Sequence, residues 1–251
     1  MKIFCQYNSQ LDTFLKALVK YVLDLYGKQL LLDDLEEIEL KERLSGSSDG
    51  RVEDGGKKII LFSSLFSLLP TYTVSDLLEN ENYKLIANTL YHEMGHVSDM
   101  KMMPHIYAVA QDLEKAEQML PAFFWVEYLA EKRSCSTNII DYTEYCEDFS
   151  SCNWRAYKFD FDTGTEENFF YLCKSLSYFM GRTTNLDMRR KFCAKMVNPL
   201  LKDLVDSLEK ELFVLEDQLP FDDVEKLSIL SHIMNEYRSK FHQTFAPRKK
   251  L

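Results

Sequence analysis

The stretch Leu85-Ile86-Ala87-Asn88-Thr89-Leu90-Tyr91-His92-Glu93-Met94-Gly95-His96-Val97 decides how this chain is read. Leu85, Ile86, Leu90, Met94 and Val97 recur at the three-to-four spacing of one helical face, so the segment is expected to be a helix. On that helix lies His92-Glu93-Met94-Gly95-His96, the pattern H-E-x-x-H. Residues i and i+4 stand one above the other on a helix, so both imidazoles can point at one zinc ion. Glu93, beside the first of them, then reaches the coordination position left open for a water and can take its proton. Gly95 costs about 1 kcal/mol in a helix interior, which points to a close packing neighbour or a ligand rather than to helix stability. The chain has only five histidines. Two of them at this spacing, around a glutamate and inside an apolar helix, make incidental surface histidines the weaker reading.

A catalytic zinc takes three protein ligands and keeps one position open. The extended pattern H-E-x-x-H-x-x-G-x-x-H fails here, because position 99 is Asp and position 102 is Met. A later helical stretch, Trp125-Val126-Glu127-Tyr128-Leu129-Ala130-Glu131, puts Glu127 and Glu131 on one face, four residues apart. Glu127 can complete the site, and Glu131 can hydrogen-bond the free ring nitrogen of a histidine ligand and fix its tautomer. Ala130 beside them lets two helices approach. Asp99, one turn past His96, is expected to be a solvated helix residue. His105, His232 and His242 are expected to be surface or core histidines. If one side chain donates to an oxyanion, the candidates are His232, Tyr128, Tyr171 and Tyr178.

H-E-x-x-H followed some tens of residues later by E-x-x-A-E resembles the gluzincin zinc metallopeptidases, with the closest likeness to the small cytoplasmic ImmA/IrrE type and the minigluzincins. The resemblance covers roughly residues 50–140. It implies a zincin-like fold, one Zn2+ held by His92, His96 and Glu127, Glu93 as general base, and Glu131 supporting a histidine where Asp is more usual. It also implies a peptide or protein substrate. A rival third ligand comes from Gly164-Thr165-Glu166-Glu167-Asn168-Phe169-Phe170, which resembles the G-T-x-D-x-x-Y segment of the aspzincins, with Glu167 where their Asp falls. A different class of function stays open beside the peptidase: a catalytically silent zincin-like protein that binds a partner protein through its C-terminal helices.

The rest of the chain sets the frame. It has 251 residues, with 30 Lys+Arg against 40 Asp+Glu, a formal net charge of −10. An acidic surface repels phosphate backbones, so no nucleic-acid partner is expected. Roughly 70–75% of the unfolded chain's surface is buried at this size, enough for a core without staples. Met1 to Tyr7 lacks the apolar run of a secretory signal, and no stretch approaches 18 uninterrupted apolar residues, so neither export nor a membrane span is expected. Six scattered cysteines without a Cys-x-x-Cys pair fit free thiols in the cytoplasm. Cys146 and Cys152 could approach each other.

Only 8 Gly and 6 Pro mean long helices. The expected class is α+β, predominantly α, with a small early sheet followed by an active-site helix and a helical C-terminal lobe. A helix over Gln10–Leu25 precedes short strands at Ile38–Lys41, Arg51–Asp54 and Lys57–Phe62. Helices follow at about 75–100, 105–119, 121–138, 166–181, 185–215 and 223–242, with 141–165 irregular. The division expected is 1–140 as a zincin-like core and 141–251 as a helical subdomain. Lys57–Phe62 is either an exposed edge strand that can pair with a peptide or an interior strand feeding the core. The methionines Met94, Met100, Met102 and Met103 fill core, and the basic tail Ala246–Leu251 is a solvated end.

Overall fold

The helix that carries the H-E-x-x-H pattern is the hub of the N-terminal architecture. The computed structural model describes residues 1–5, 9–42, 49–63, 81–151, 166–183 and 185–245. The chain forms two compact units, Met1–Met102 with Arg133–Asp141, and Met103–Lys132 with Tyr142–Leu251. The described residues are mostly helical, with one small sheet near the N-terminus.

In the first unit, β1 (Lys2–Cys5), β2 (Glu37–Glu42), β3 (Gly50–Glu53) and β4 (Lys58–Ser63) form a sheet in the order β1-β2-β4-β3. β1, β2 and β4 run parallel, with Lys2 opposite Glu37 and Ile38 opposite Ile59; β3 is antiparallel to β4. The 18-residue helix α1 (Ser9–Tyr26) makes the crossover between β1 and β2 that a parallel pair requires. Ile38, Leu40, Ile59 and Leu61 alternate onto one buried face. There they meet Leu11, Leu15, Leu18 and Val22 of α1 and Ile86, Leu90, Met94 and Val97 of α2 (Glu81–Met102). The opposite face of the sheet carries charge: Lys58 reaches Glu37 at 2.5 Å and Glu39 at 2.9 Å. The Lys58 contact holds the Glu37 carboxyl below its ordinary range, and the two glutamates raise the Lys58 ammonium.

The second unit is all helix among its described residues: α3 (Pro104–Ala110), α4 (Ala116–Cys135, whose last turn belongs to the first unit), α5 (Thr143–Ser151), α6 (Glu166–Arg182), α7 (Leu186–Cys193), α8 (Pro199–Glu216) and α9 (Ser228–Phe245). Its core is aromatic, with Phe149 stacked on Phe179 at 4.5 Å and Trp125 on Phe221 at 5.6 Å. Asp222 caps α3, its carboxylate accepting from the main-chain N–H of His105 at 2.9 Å and of Ile106 at 3.0 Å. Arg189, buried, donates to Thr183 Oγ1, Glu209 Oε1 and the Met180 carbonyl.

Several sequence expectations are corrected. The N-terminal strand β1 is not among the strands expected from sequence. Lys57–Phe62 is not an edge, because β4 lies between β2 and β3; β1 and β3 are the edges. The stretch read as irregular contains α5. The single helix read over 185–215 is two, since Asn198 caps Leu200 and Leu201 and Pro199 opens α8. Nor does Pro121 start a helix: it sits inside α4. Its missing N–H strands the Glu117 carbonyl four residues back, and the Ser231 hydroxyl donates there at 3.0 Å instead. Residues 75–80, Cys152 and the tail 246–251 lie outside the described residues.

Candidate metal centre

Seven buried apolar residues of α2 face the sheet and α1, and the remaining face of this helix carries the chemistry. His92 and His96 are each 8% exposed and Glu93 6%. The i, i+4 spacing brings the two rings edge to face, with centroids 4.6 Å apart and Nε2 atoms 3.0 Å apart. With both rings neutral, one donates to the other. Two nitrogens bound to one tetrahedral zinc at about 2.0–2.1 Å lie about 3.3–3.4 Å apart, so the observed separation is close to what a shared ion needs. A ring nitrogen of each and a carboxylate oxygen of Glu127, half-buried on α4, all lie within 4.8 Å of one another. Among the described residues this is the one group of His, Cys, Asp or Glu side chains close enough to hold a metal. Two imidazoles and a carboxylate suit a divalent transition metal, zinc included.

Asp99 departs from expectation. It is 0% exposed, and its two oxygens accept from Arg133 of α4 at 2.6 and 3.1 Å, a fork-to-fork pair. Burial pushes the Asp99 carboxyl up, with Arg133 and His92 opposing. Spacing held the clue, since Asp99 is three residues past His96 and seven past His92, on the histidine face. Arg133 had no comparable local signal.

Glu131 is buried and accepts from Arg182 Nε at 2.5 Å. The Arg182 guanidinium stands over the rings of Tyr142 at 4.1 Å and Tyr145 at 4.0 Å, a cation–π arrangement that supplies the desolvated charge with partners. The neighbouring Gly181 lets α6 press against α4: a Cβ there would sit 2.8 Å from Glu131 Cβ and 2.9 Å from the Lys132 main-chain nitrogen. Glu131 therefore ties α4 to α6 through Arg182, a partner the sequence did not offer.

The oxyanion candidates have these surroundings. Tyr128 is buried with its hydroxyl on the Glu216 carboxylate, which also binds Lys132. Burial first and Glu216 second push that phenol far above its ordinary value, so Tyr128 keeps its proton. Tyr171 and His232 are exposed, and Tyr178 packs near Arg182. His105, also exposed, bonds Asp222 through its ring at 2.6 Å. Of the methionines, Met94 and Met103 are buried as expected, whereas Met102 is exposed and Met100 half-buried, so these two do not fill core. The side chains of Glu167 and His242 lie outside the described residues.

No family model matches the chain, and neither a curated protein nor a solved structure matches it.

Proposed function

We propose that this chain is a zinc metallopeptidase of gluzincin type. The observation that carries the reading is the buried pair of histidine Nε2 atoms 3.0 Å apart with a Glu127 oxygen in the same cluster. His92, His96 and Glu127 would hold the ion. Zinc bound there supplies a Lewis acid that polarises a peptide carbonyl and acidifies a water. Glu93, adjacent in sequence to His92 and buried on the same helix, accepts the proton of the attacking water and hands it to the departing amine. Its burial keeps bulk water from competing for that proton. Asp99 and Arg133 fix the ends of the helices that present the ligands.

The substrate is a peptide or protein segment in extended form, paired along β3, the edge strand that flanks α2. No helix among the described residues is long and apolar enough to cross a membrane. The scattered cysteines, without a Cys-x-x-Cys pair, fit a reducing compartment, and the reading places the activity in the cytoplasm.

The test is elemental analysis followed by a peptide-library assay. The wild-type chain should carry about one zinc. Glu127→Ala should lose it and Glu167→Gln keep it, whereas the reverse pattern would move the third ligand to Glu167. Glu93→Gln should keep the metal and lose roughly 10²–10⁴-fold in hydrolysis. A wild-type chain that takes up no zinc when zinc is offered refutes the reading. Zinc retained without hydrolysis, beside a stable co-purifying protein, would instead support the silent zincin-like interaction protein.

A further inference from the structure

The first edge strand residue beside α2 is a glycine, and its conformation does not explain it. Gly55 and Gly56 have φ of 63° and 93°, the left-handed region that favours glycine, but Gly50 lies in extended strand pairing with Leu61. Any L-residue adopts that backbone. Glycine in a strand loses more backbone freedom on folding and offers nothing to pack, so its presence at 50 works against β3. Space supplies the reason. A Cβ at position 50 would lie 2.7 Å from Glu93 Oε1, 2.8 Å from Glu93 Cγ and 2.9 Å from Thr89 Cγ2. Thr89 and Glu93 are one turn apart, so this turn of α2 rests directly on the β3 main chain.

We infer that Gly50 is a positioning residue for the Glu93 carboxylate: the volume left by its missing side chain is where that carboxylate sits. The inference rests on the metallopeptidase reading and deepens it. All three crowding atoms belong to side chains rather than to main chain. The two nearest atoms belong to Glu93, so a methyl at 50 drives the Glu93 carboxylate to another rotamer, with a smaller adjustment at Thr89. The fold persists while the base leaves its place. A base must stay within hydrogen-bond reach of the proton it takes, and a displacement of about 1 Å costs on the order of 10²-fold in rate.

The experiment compares the full-length chain with Gly50→Ala in three backgrounds: wild type, Glu93→Ala and Glu93→Asp. On the metal-free protein, Gly50→Ala should lower the thermal midpoint in the wild-type background and lower it clearly less in Glu93→Ala, where Cγ and Oε1 are gone and the Thr89 Cγ2 contact alone remains. With zinc, Gly50→Ala should hold the metal within about threefold of wild-type affinity and lose about a hundredfold in kcat, with KM little changed. In Glu93→Asp, whose carboxylate is drawn back by one methylene, adding Gly50→Ala should cost less than about fivefold. Equal midpoint shifts in the wild-type and Glu93→Ala backgrounds overturn the proposal, as does an unchanged kcat in Gly50→Ala. A wild-type chain that binds no zinc removes the metallopeptidase reading and the role of Gly50 with it. Zinc-loaded, active wild type beside an additive midpoint cycle removes the positioning role alone.

Discussion

Replacing Arg133 by Met tests whether the Asp99–Arg133 pair is a true buried ion pair. Asp99 is 0% exposed and the Arg133 side chain 22%, so the substitution leaves a carboxylate in the interior without its bidentate partner. Removing one member of such a pair costs about 3–5 kcal/mol. The lower end applies, because Arg133 is partly open to solvent and the stranded Asp99 can take up a proton. For a chain of this size each kcal/mol moves the midpoint by about 2–4 °C, so Arg133→Met should unfold about 6–12 °C earlier. Thermal unfolding of the metal-free protein by far-UV circular dichroism, checked by calorimetry, reads the shift. Asp99→Leu combined with Arg133→Met should recover most of it, since the attraction within a buried pair is largely offset by the desolvation of both ions. A single-variant shift under about 2 °C, or a double variant as unstable as the single, would refute the reasoning.

Two further outcomes follow from the second unit. Partial burial pushes the Asp222 carboxyl up, but the main-chain N–H groups of Ile106 and His105 and the His105 ring outweigh it and hold the carboxyl below its ordinary value. A depressed acid adds stability that is complete above its unfolded pKa of about 3.9 and is lost as pH falls through the lower folded value. Asp222→Ala should therefore cost about 1 kcal/mol near neutrality, with the gap to wild type closing below about pH 4; a gap independent of pH would remove the charged cap. Gly181→Ala puts a methyl 2.9 Å from the Lys132 main-chain nitrogen and 3.1 Å from the Tyr128 carbonyl oxygen. Main chain cannot step aside as a side chain does, so α4 and α6 must part at about 1–3 kcal/mol; an unchanged unfolding midpoint would show that the helices are not in that contact.

What the sequence disclosed was local. The apolar periodicity of α1 and α2 repeats every three to four residues, and the two histidines and the glutamate announce themselves by spacing within a single turn. The strand character of residues 58–63 was also readable, but its place inside the sheet was not, because that depends on β2, much further back in the chain, as well as on the adjacent β3. β1 escaped because four residues, Lys2 to Cys5, give no period to read, and the strand exists by pairing with β2 across an 18-residue helix. The break before α8 was written in Asn198-Pro199, a cap followed by a first-turn proline. Pro121 misled for the opposite reason: the carbonyl it orphans is served by Ser231, more than a hundred residues on. The ligand candidates lie in short patterns, whereas Arg133, Arg182 and Gly50 act through distant partners and leave no trace in their own neighbourhoods.

The order of the sheet also sets how its backbone amides are shielded. β4 has a hydrogen-bonded neighbour on each side and β3 only one. Local opening starts where the ladder is held on one side, so β3 should exchange its amide hydrogens with solvent well before Ile59 to Leu61 do. α2 rests against both kinds of strand. Its imidazoles sit on a helix whose apolar face is locked into the slow-exchanging interior, while the carboxylate of Glu93 leans on the first strand to fray. Rigidity behind the imidazoles and give behind the carboxylate are thus written into one helix by the strand it happens to meet on each side.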